Sequence, residues 1–360
     1  MKTNRFPFTK NKSLQAWNAA DELIVSYHKE KDNNLQAAII NDRFGYLSCH
    51  LNNLKPICII DFKSQKLAIE YNLKENDFII SEDDFVNPLS AFPNKVKQAI
   101  IKIPKSMELY SLYLEQICEN SDDDIEVTAG FMTKYFNKQM IEIAKEYFEE
   151  VEQSKAKKKA RLIFMKGKKA ITKHELINKV KINEKLYLKQ YYGVFASSKI
   201  DVATRYLLEN IHVNKAELQI MDLASGNGVI ANHINELYKS KNWELPQLHL
   251  VDDSFLAIES SKLNFEGDNI HFYQDANMES ISEESMDMII SNPPFHFEHE
   301  ENTEISLNLF RKSILVLKTG GRMIVVYNRH LNYIPFLKSI FSNTKIVAES
   351  NRFVVVECWK

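Results

Sequence analysis

Glycine is scarce in this 360-residue sequence, with nine residues, about 2.5% against a usual ~7%. Cysteine is scarcer. Cys49, Cys58, Cys118 and Cys358 lie far apart with no Cys-x-x-Cys pair, which argues against a disulfide framework and against a zinc ribbon. No apolar run approaches the ~18–20 residues of a membrane span. The opening MKTNRFPFTKNKS has no signal-peptide core, so a cytoplasmic protein is expected. Charge of one sign is also lacking: 46 Lys and Arg face 48 Asp and Glu, a net −2, so the whole molecule is no polycation. What is present is ordinary globular composition, 44% hydrophobic and 26% charged, which excludes wholesale disorder. At ~150 residues per domain the length suggests two domains.

The charge is unevenly spread. Nine Lys and Arg and no acid fall between Lys155 and Lys173, while acids gather at Glu115 to Glu126 and Glu146 to Glu152. Such a run is usually a solvated face; the alternative is phosphate contact through Lys157, Lys158, Lys159, Arg161, Lys168 and Lys169. Of the nine glycines, two fall in Ser225-Gly226-Asn227-Gly228 and two are Gly320-Gly321. A chain so sparing of glycine keeps it where the backbone needs it.

The second half alternates. LQIMDL (218–223), LHLVDD (248–253), IHFYQD (270–275) and MDMIISN (286–292) read as strands, with helices from about Val229 to Lys239 and through Asn264. A further helix over about Thr303–Leu317 is expected to stop at Gly320-Gly321. RMIVVYN, a helix near Tyr333–Phe341, KIVAES and RFVVVECW close the chain, the last two as an antiparallel hairpin at the sheet edge. Alternation at this spacing predicts a mostly parallel sheet covered by helices on both faces, a Rossmann-like α/β fold. The first half repeats the order in blurred form: AAIIND (37–42), CIIDF (58–62), DFII (77–80), AIIKIPK (99–105), IEVTAGF (125–131) and KARLIFM (159–165). We read a duplicated domain, residues 1–180 and 181–360. The first copy has NDRFGYL where the second has DLASGNG, and Ile-Pro-Lys where the second has Asn-Pro-Pro-Phe. One copy is equipped for chemistry and the other is degenerate.

The chemistry-bearing residues sit at strand ends. After Asp222, the turn Ala224-Ser225-Gly226-Asn227-Gly228 leads into a helix. Glycines there let a ligand approach the backbone where open α/β sheets bind ligands, although a tight strand-to-helix turn carries the same letters. Strand two ends in Asp252-Asp253; an acid there can take both hydroxyls of a ribose, or serve as a helix cap, a role open to Asp253 or Ser254. Strand three ends in Asp275-Ala276, where an acid can accept from an adenine amino group. Together the three ends fit an adenosine-bearing cofactor, with Asp222, Ala224, Ser225, Gly226, Gly228, Asp252, Asp275, Ala276 and Asn292 as its candidate binders.

Strand four separates S-adenosylmethionine from a dinucleotide. It ends in Asn292-Pro293-Pro294-Phe295. The exocyclic amine of a nucleobase is a poor nucleophile because its lone pair is delocalised into the ring. The Asn292 oxygen and the Pro293 carbonyl can accept its two N–H groups, and the prolines remove competing donors. Phe295 can stack on an extruded base. Because the sulfonium is already an excellent leaving group, orientation supplies most of the rate and no metal is called for. His296 and His299 follow with no third ligand in view, so no metal site is expected. Phe195, Asp201 and Thr204 either cover the cofactor or belong to an amphipathic helix capped near Asp201. Arg329, in Tyr327-Asn328-Arg329-His330 at the end of strand five, is a further candidate for RNA contact.

With these residues in hand, the chain resembles the bacterial ribosomal-RNA guanine-N2 methyltransferases over nearly its whole length, and the large-subunit branch most nearly. LQAWNAADE, INDRFGYLSC and IKIPKSMELY carry the likeness in the first half. In the second it rests on VDDSFLAIESSKLN, NPPFH, VYNRHLNYIPFLKSIF and SNRFVVV. NRHL-x-Y is the most specific segment, since NPPF is shared by many amine methylases. The resemblance implies tandem class I S-adenosylmethionine-dependent methyltransferase domains, the first without cofactor and serving RNA recognition. It also implies methyl transfer to the N2 of a guanine in large-subunit ribosomal RNA. The family's Asp-x-Gly-Cys-Gly-x-Gly is here Asp222-Leu223-Ala224-Ser225-Gly226-Asn227-Gly228, small-for-small changes that leave the later glycines intact.

Other readings stay open at this point. They are a small-subunit RNA substrate, methylation of adenine N6 or a protein glutamine, and a non-catalytic RNA-binding assembly factor. A monomer is favoured.

Overall fold

The computed structural model describes residues 1–360 except 7, 9–13, 32–34, 171–173, 185, 295, 298–299 and 302, together with the side chains of 296–297 and 300–301. It divides into two compact units, Met1–Leu176 and Ile177–Lys360.

The first unit runs α1 (Ala19–Glu30), β1 (Ala37–Ile40), α2 (Tyr46–His50), β2 (Ile57–Ile59), α3 (Lys63–Lys74), β3 (Phe85–Val86), β4 (Val96–Lys102), α4 (Met107–Glu119), β5 (Ser121–Met132), α5 (Gln139–Tyr147), β6 (Phe148–Gln153) and β7 (Ala160–Lys168). Its sheet order is β3-β2-β1-β4-β5-β7-β6. Strands β1 and β4 are buried on both sides, as parallel strands between helices must be. A capping box between Asn18 and Asp21 starts α1.

The second unit opens with an antiparallel hairpin, β8 (Ile177–Lys181) and β9 (Tyr187–Tyr191), then α6 (Val202–Asn210). There follow β10 (Gln219–Leu223), α7 (Val229–Ser240), β11 (Gln247–Asp252), α8 (Phe255–Lys262), β12 (Ile270–Gln274), β13 (Met286–Ser291), the short pair β14 (His296–Phe297) and β15 (Glu300–Glu301), α9 (Thr303–Val316), β16 (Leu317–Asn328), α10 (Ile334–Ile340), β17 (Asn343–Glu349) and β18 (Phe353–Trp359). The order β12-β11-β10-β13-β16-β18-β17 repeats that of the first unit, strand for strand. Neighbouring residues along each strand serve opposite faces: Met221, Leu223, Val251, Ile289 and Val325 join one apolar layer, while Ile220, Leu250, Ile290, Ile324 and Val326 join the other. The expected α/β duplication is therefore present, and β17 and β18 form the antiparallel edge.

Two local expectations fail for physical reasons. Residues 77–80 form no strand; Asp77 has a positive φ and Ile79 is 95% exposed, while Phe78 and Ile80 pack beneath the loop. The third strand is the two-residue β3 instead. Gly320-Gly321 do not stop a helix, because α9 ends at Val316 and both glycines lie inside β16. Gly320 has φ 78°, and a Cβ on Gly321 would stand 2.9–3.2 Å from three carbonyl oxygens where β13 and β16 slip register. The pair makes a bulge. The β8–β9 hairpin was not expected.

Among the described residues no helix is long and apolar enough to cross a membrane. The four cysteines are buried free thiols.

Candidate functional site

The carboxyl ends of β10, β11, β12 and β13 bring the predicted residues to one edge of the second sheet. The turn after β10 is held by its backbone: Ala224 and Ser225 donate to the Val251 carbonyl at 2.8 and 3.2 Å, and Gly228 donates to Ser225 at 2.8 Å. Three residues have positive φ, Ala224 at 60°, Gly226 at 56° and Gly228 at 82°. The two glycines differ in purpose. A Cβ on Gly228 would lie 2.5 Å from the Phe265 ring and 3.0 Å from Leu250, whereas a Cβ on Gly226 would meet nothing within 4 Å. Gly228 is required by its neighbours; Gly226 faces open space.

Asp222 lies one residue inside the strand end and is fully buried. Its Oδ2 accepts the Ala231 N–H in the first turn of α7 at 3.0 Å, while its Oδ1 has no hydrogen-bond partner among the described residues. Burial pushes the carboxyl up to about 8, against that N–H bond and with a further push from Asp252. Asp252 is half-buried at the end of β11. It accepts from Gly226 N and Ser254 N, each at 2.9 Å. Desolvation raises its carboxyl to about 6, against the pull of these N–H bonds. The cap of α8 is Ser254, whose Oγ accepts from Ala257 N, so Asp252 does not cap that helix. Asp275 accepts from Asn277 N at 2.8 Å and Ser280 N at 2.6 Å, fixing the turn that carries Ala276. Each carboxylate oxygen in these pairs retains a further lone pair for a ligand.

Strand β13 is tied to β10 by Ser291 Oγ donating to the Leu223 carbonyl at 2.7 Å. The next residue, Asn292, donates from Nδ2 to Asp201 Oδ2 at 3.2 Å and to Thr204 Oγ1 at 2.9 Å. Its Oδ1 is buried with no partner among the described residues. Pro293 is buried and Pro294 is exposed. Phe295 and His299 lie outside the described residues, as does the His296 side chain; among the described residues no cluster could hold a metal ion. Asp201 caps α6, accepting from Ala203 N and Thr204 N, so the helix-cap reading holds, and contact with Asn292 is added to it. Phe195 is 68% exposed.

Sequence reasoning missed Gln190, which is fully buried in β9. It accepts from Asn227 Nδ2 at 2.8 Å and donates to the carbonyls of Val194 and Phe195. One side chain thus joins the glycine turn to the loop before α6. The available signal was a polar residue on the inward side of YLKQY, with Leu188 two positions away.

The basic run is mostly paired. Lys158 bonds Glu22 at 2.9 Å, Lys169 lies 3.9 Å from Glu149, and Arg161 bonds Gln153 at 3.1 Å. Lys168 donates to the carbonyls of Ser121 and Cys118 and faces Asp123 at 3.2 Å. Lys157 and Lys159 are exposed on the β6–β7 turn. Arg329 pairs with Glu349 at 3.1 Å.

An adenosyl group fits this edge. Buried Asp222 Oδ1, Ser225 Oγ and Asn292 Oδ1 lack partners among the described residues, Gly226 leaves room, and Asp252 and Asp275 supply acceptors. In the first unit the same fit fails. Strand register aligns Ile40 with Leu223 and Ile59 with Val251, so Arg43 stands at the Gly226 position and Ile60 at that of Asp252. The Arg43 guanidinium lies over the Phe62 ring at 5.1 Å and donates to Ser64 at 2.6 Å.

Each half of the chain matches a known family model. A family model described as RLMG N-terminal domain matches residues 1–169, and one described as methyltransferase small domain matches residues 185–357. A T. thermophilus 16S rRNA N2 methyltransferase (RsmC), solved with AdoMet and guanosine, superposes with TM-score 0.76 at 16% identity. The match covers 95% of this chain and 92% of that one, a likeness of fold. Proteins named ribosomal RNA large subunit methyltransferase G align almost end to end. That of Vibrio vulnificus is 30% identical over 99% of this chain and 96% of its own length. That of Photobacterium profundum is 30% identical over 100% and 97%, and that of Psychromonas ingrahamii 29% over 99% and 96%. With both domains matched in order and the full length aligned, the chain belongs to the ribosomal RNA large subunit methyltransferase G family.

Proposed function

We propose that this protein transfers a methyl group from S-adenosylmethionine to the exocyclic N2 amine of a guanine in large-subunit (23S) ribosomal RNA. The observation that carries the reading is the Asn292 oxygen, buried, without a partner among the described residues, and set where the strand order reverses between β10 and β13. The cofactor supplies an electrophilic methyl on a sulfonium leaving group. The chain's own residues bind and orient: Asp252 accepts from the ribose hydroxyls and Asp275 from the adenine amine. Gly226 and Ser225 admit the cofactor against the backbone. Asn292 Oδ1 and the Pro293 carbonyl accept the two N–H groups of the target amine, and Phe295 stacks on the base. Orientation of the amine lone pair toward the methyl is the main catalytic device.

The first unit, in this reading, holds no cofactor and guides RNA in the cytoplasm. Lys157 and Lys159 are its foremost phosphate contacts, and the exposed Lys158–Glu22 pair, weakly held as such pairs are, can exchange Glu22 for phosphate. Such contacts position the substrate without choosing the base.

The test is methyl transfer to unmodified large-subunit RNA, small-subunit RNA and transfer RNA, followed by nucleoside mass spectrometry. N2-methylguanosine confined to large-subunit RNA, and formed at least ~100-fold more slowly in Asn292→Ala, is the expected result. N6-methyladenosine, product on small-subunit RNA, or full activity in Asn292→Ala would overturn it.

A further inference from the structure

An asparagine amide can face either way, and only one way is productive if its oxygen must take a target amine. Two side chains of α6 surround the Asn292 amide: Asp201 Oδ2 at 3.2 Å and Thr204 Oγ1 at 2.9 Å, both receiving Nδ2. Thr204 alone would not choose, because a hydroxyl both donates and accepts. An ionised carboxylate only accepts. With Oδ1 turned toward it, Asn292 would set two lone-pair oxygens against each other and leave its own NH2 unpaired in a buried place. Asp201 is itself immobilised, since the same Oδ2 accepts the Ala203 and Thr204 backbone N–H groups at 2.9 and 3.1 Å as the cap of α6. We propose that Asp201, seconded by Thr204, is a positioning residue that fixes the Asn292 amide with its oxygen toward the substrate side and its NH2 toward α6.

The first unit shows what this tie is not for. Register aligns Ile101 with Ser291 and so Lys102 with Asn292. Counting from the caps Asn18 and Asp201, Asp21 stands where Thr204 does, three residues into the helix. There, Lys102 forms an ion pair with Asp21. Both copies therefore join this helix start to the end of this strand, one by an ion pair and the other by an amide. An ion pair suffices for the join. Only the amide leaves an acceptor free after making it.

The inference rests on the proposed role of Asn292, and its test separates the two. Asp201→Asn keeps a good helix cap but can donate as well as accept, so it no longer dictates the amide's orientation. Expected are a fall in kcat of about 10- to 100-fold, KM for RNA and Kd for S-adenosylhomocysteine within about 3-fold, and an unchanged melting temperature. Thr204→Val should lower kcat less, and Thr204→Ser should restore most of what Thr204→Val loses. In an Asn292→Ala background, Asp201→Asn should add no further loss, because its effect runs through that amide. A readout without turnover is the Asn292 side-chain NH2 signal in NMR of selectively labelled protein, expected to shift and lose exchange protection in Asp201→Asn. Full kcat in Asp201→Asn, additive losses in the double variant, or an unmoved NH2 signal would each overturn the positioning role. No N2-methylguanosine from the wild type, together with the NH2 shift in Asp201→Asn, would overturn the assigned reaction and leave the amide lock standing.

Discussion

Asp222 reaches from inside β10 to accept the Ala231 amide across the glycine turn at 3.0 Å, joining the strand to the first turn of α7. The first unit makes the equivalent bond by another route. Ser48, at the position of Ala231, donates its amide to Asp42 at 2.7 Å, and Asp42 lies in the turn itself, where the second unit has Ser225. Moving the acid from turn to strand clears the turn.

The cost of that move is pH-dependent. An aspartate in the unfolded chain titrates near ~3.9, while burial raises Asp222 to about 8. Between those values the native state holds a proton that the unfolded state has released, so stability without cofactor falls as pH rises from about 4 to about 8. Asp222→Asn keeps an acceptor for Ala231 and cannot ionise. Its unfolding free energy should change less between pH 5 and pH 8 than the wild type's, by on the order of 1–3 kcal/mol. Denaturant titrations at both pH values measure this; parallel pH trends would refute it.

Cofactor stoichiometry follows from Ile60 and Arg43. Calorimetry with S-adenosylhomocysteine should give one site per chain, and Asp252→Ile, which copies the first unit, should remove it while the protein stays folded. Two sites per chain would refute the division of labour.

The two glycines of the turn should fail differently. Gly228→Ala forces a Cβ into the Phe265 ring at a left-handed φ and should cost about 2–4 kcal/mol of stability. Gly226→Ala meets no neighbour and should cost only the left-handed strain, about 1–2 kcal/mol, while weakening S-adenosylhomocysteine binding at least ~10-fold. Denaturation and calorimetry on the pair decide it; equal stability losses with unchanged binding in Gly226→Ala would count against the assignment.

RNA affinity should distinguish exposed from engaged lysines. The double variant Lys157→Gln, Lys159→Gln should lower the slope of log affinity against log salt by about 1–2 at constant melting temperature. Lys168→Gln removes a donor from the carbonyls of Cys118 and Ser121. It should cost about 1–2 kcal/mol of stability and leave the salt slope alone.

The second sheet was legible because each central strand is a short apolar run closed by a polar residue, and burial on both faces writes that pattern directly. Asp222, Gly226, Asp252 and Asn292 were legible for the same reason, each standing at or beside the end of a strand. The first sheet was harder: the apolar DFII segment packs Phe78 and Ile80 but leaves Ile79 in solvent, which sequence alone does not distinguish from a strand. Gly320-Gly321 carried the letters of a stop and serve a bulge, because the carbonyls that crowd Gly321 come partly from β13, more than 30 residues away in sequence. The basic run was visible, but not its acidic partners on other elements. Least legible was the bond from Asp201 to Asn292, 91 residues apart; local pattern shows Asp201 as a helix cap, and only the fold adds its second partner.

Gly45 begins α2 at φ 80° with a Cβ position 3.0 Å from the Ile69 backbone, as Gly228 begins α7 at φ 82° against Phe265 and Leu250. The two turns thus share the glycine that their own packing demands and differ at the outward-facing position, which is glycine in one and Arg43 in the other. A constraint imposed by permanent neighbours is common to both turns, whereas the outward-facing Gly226 answers to nothing in its own unit's packing.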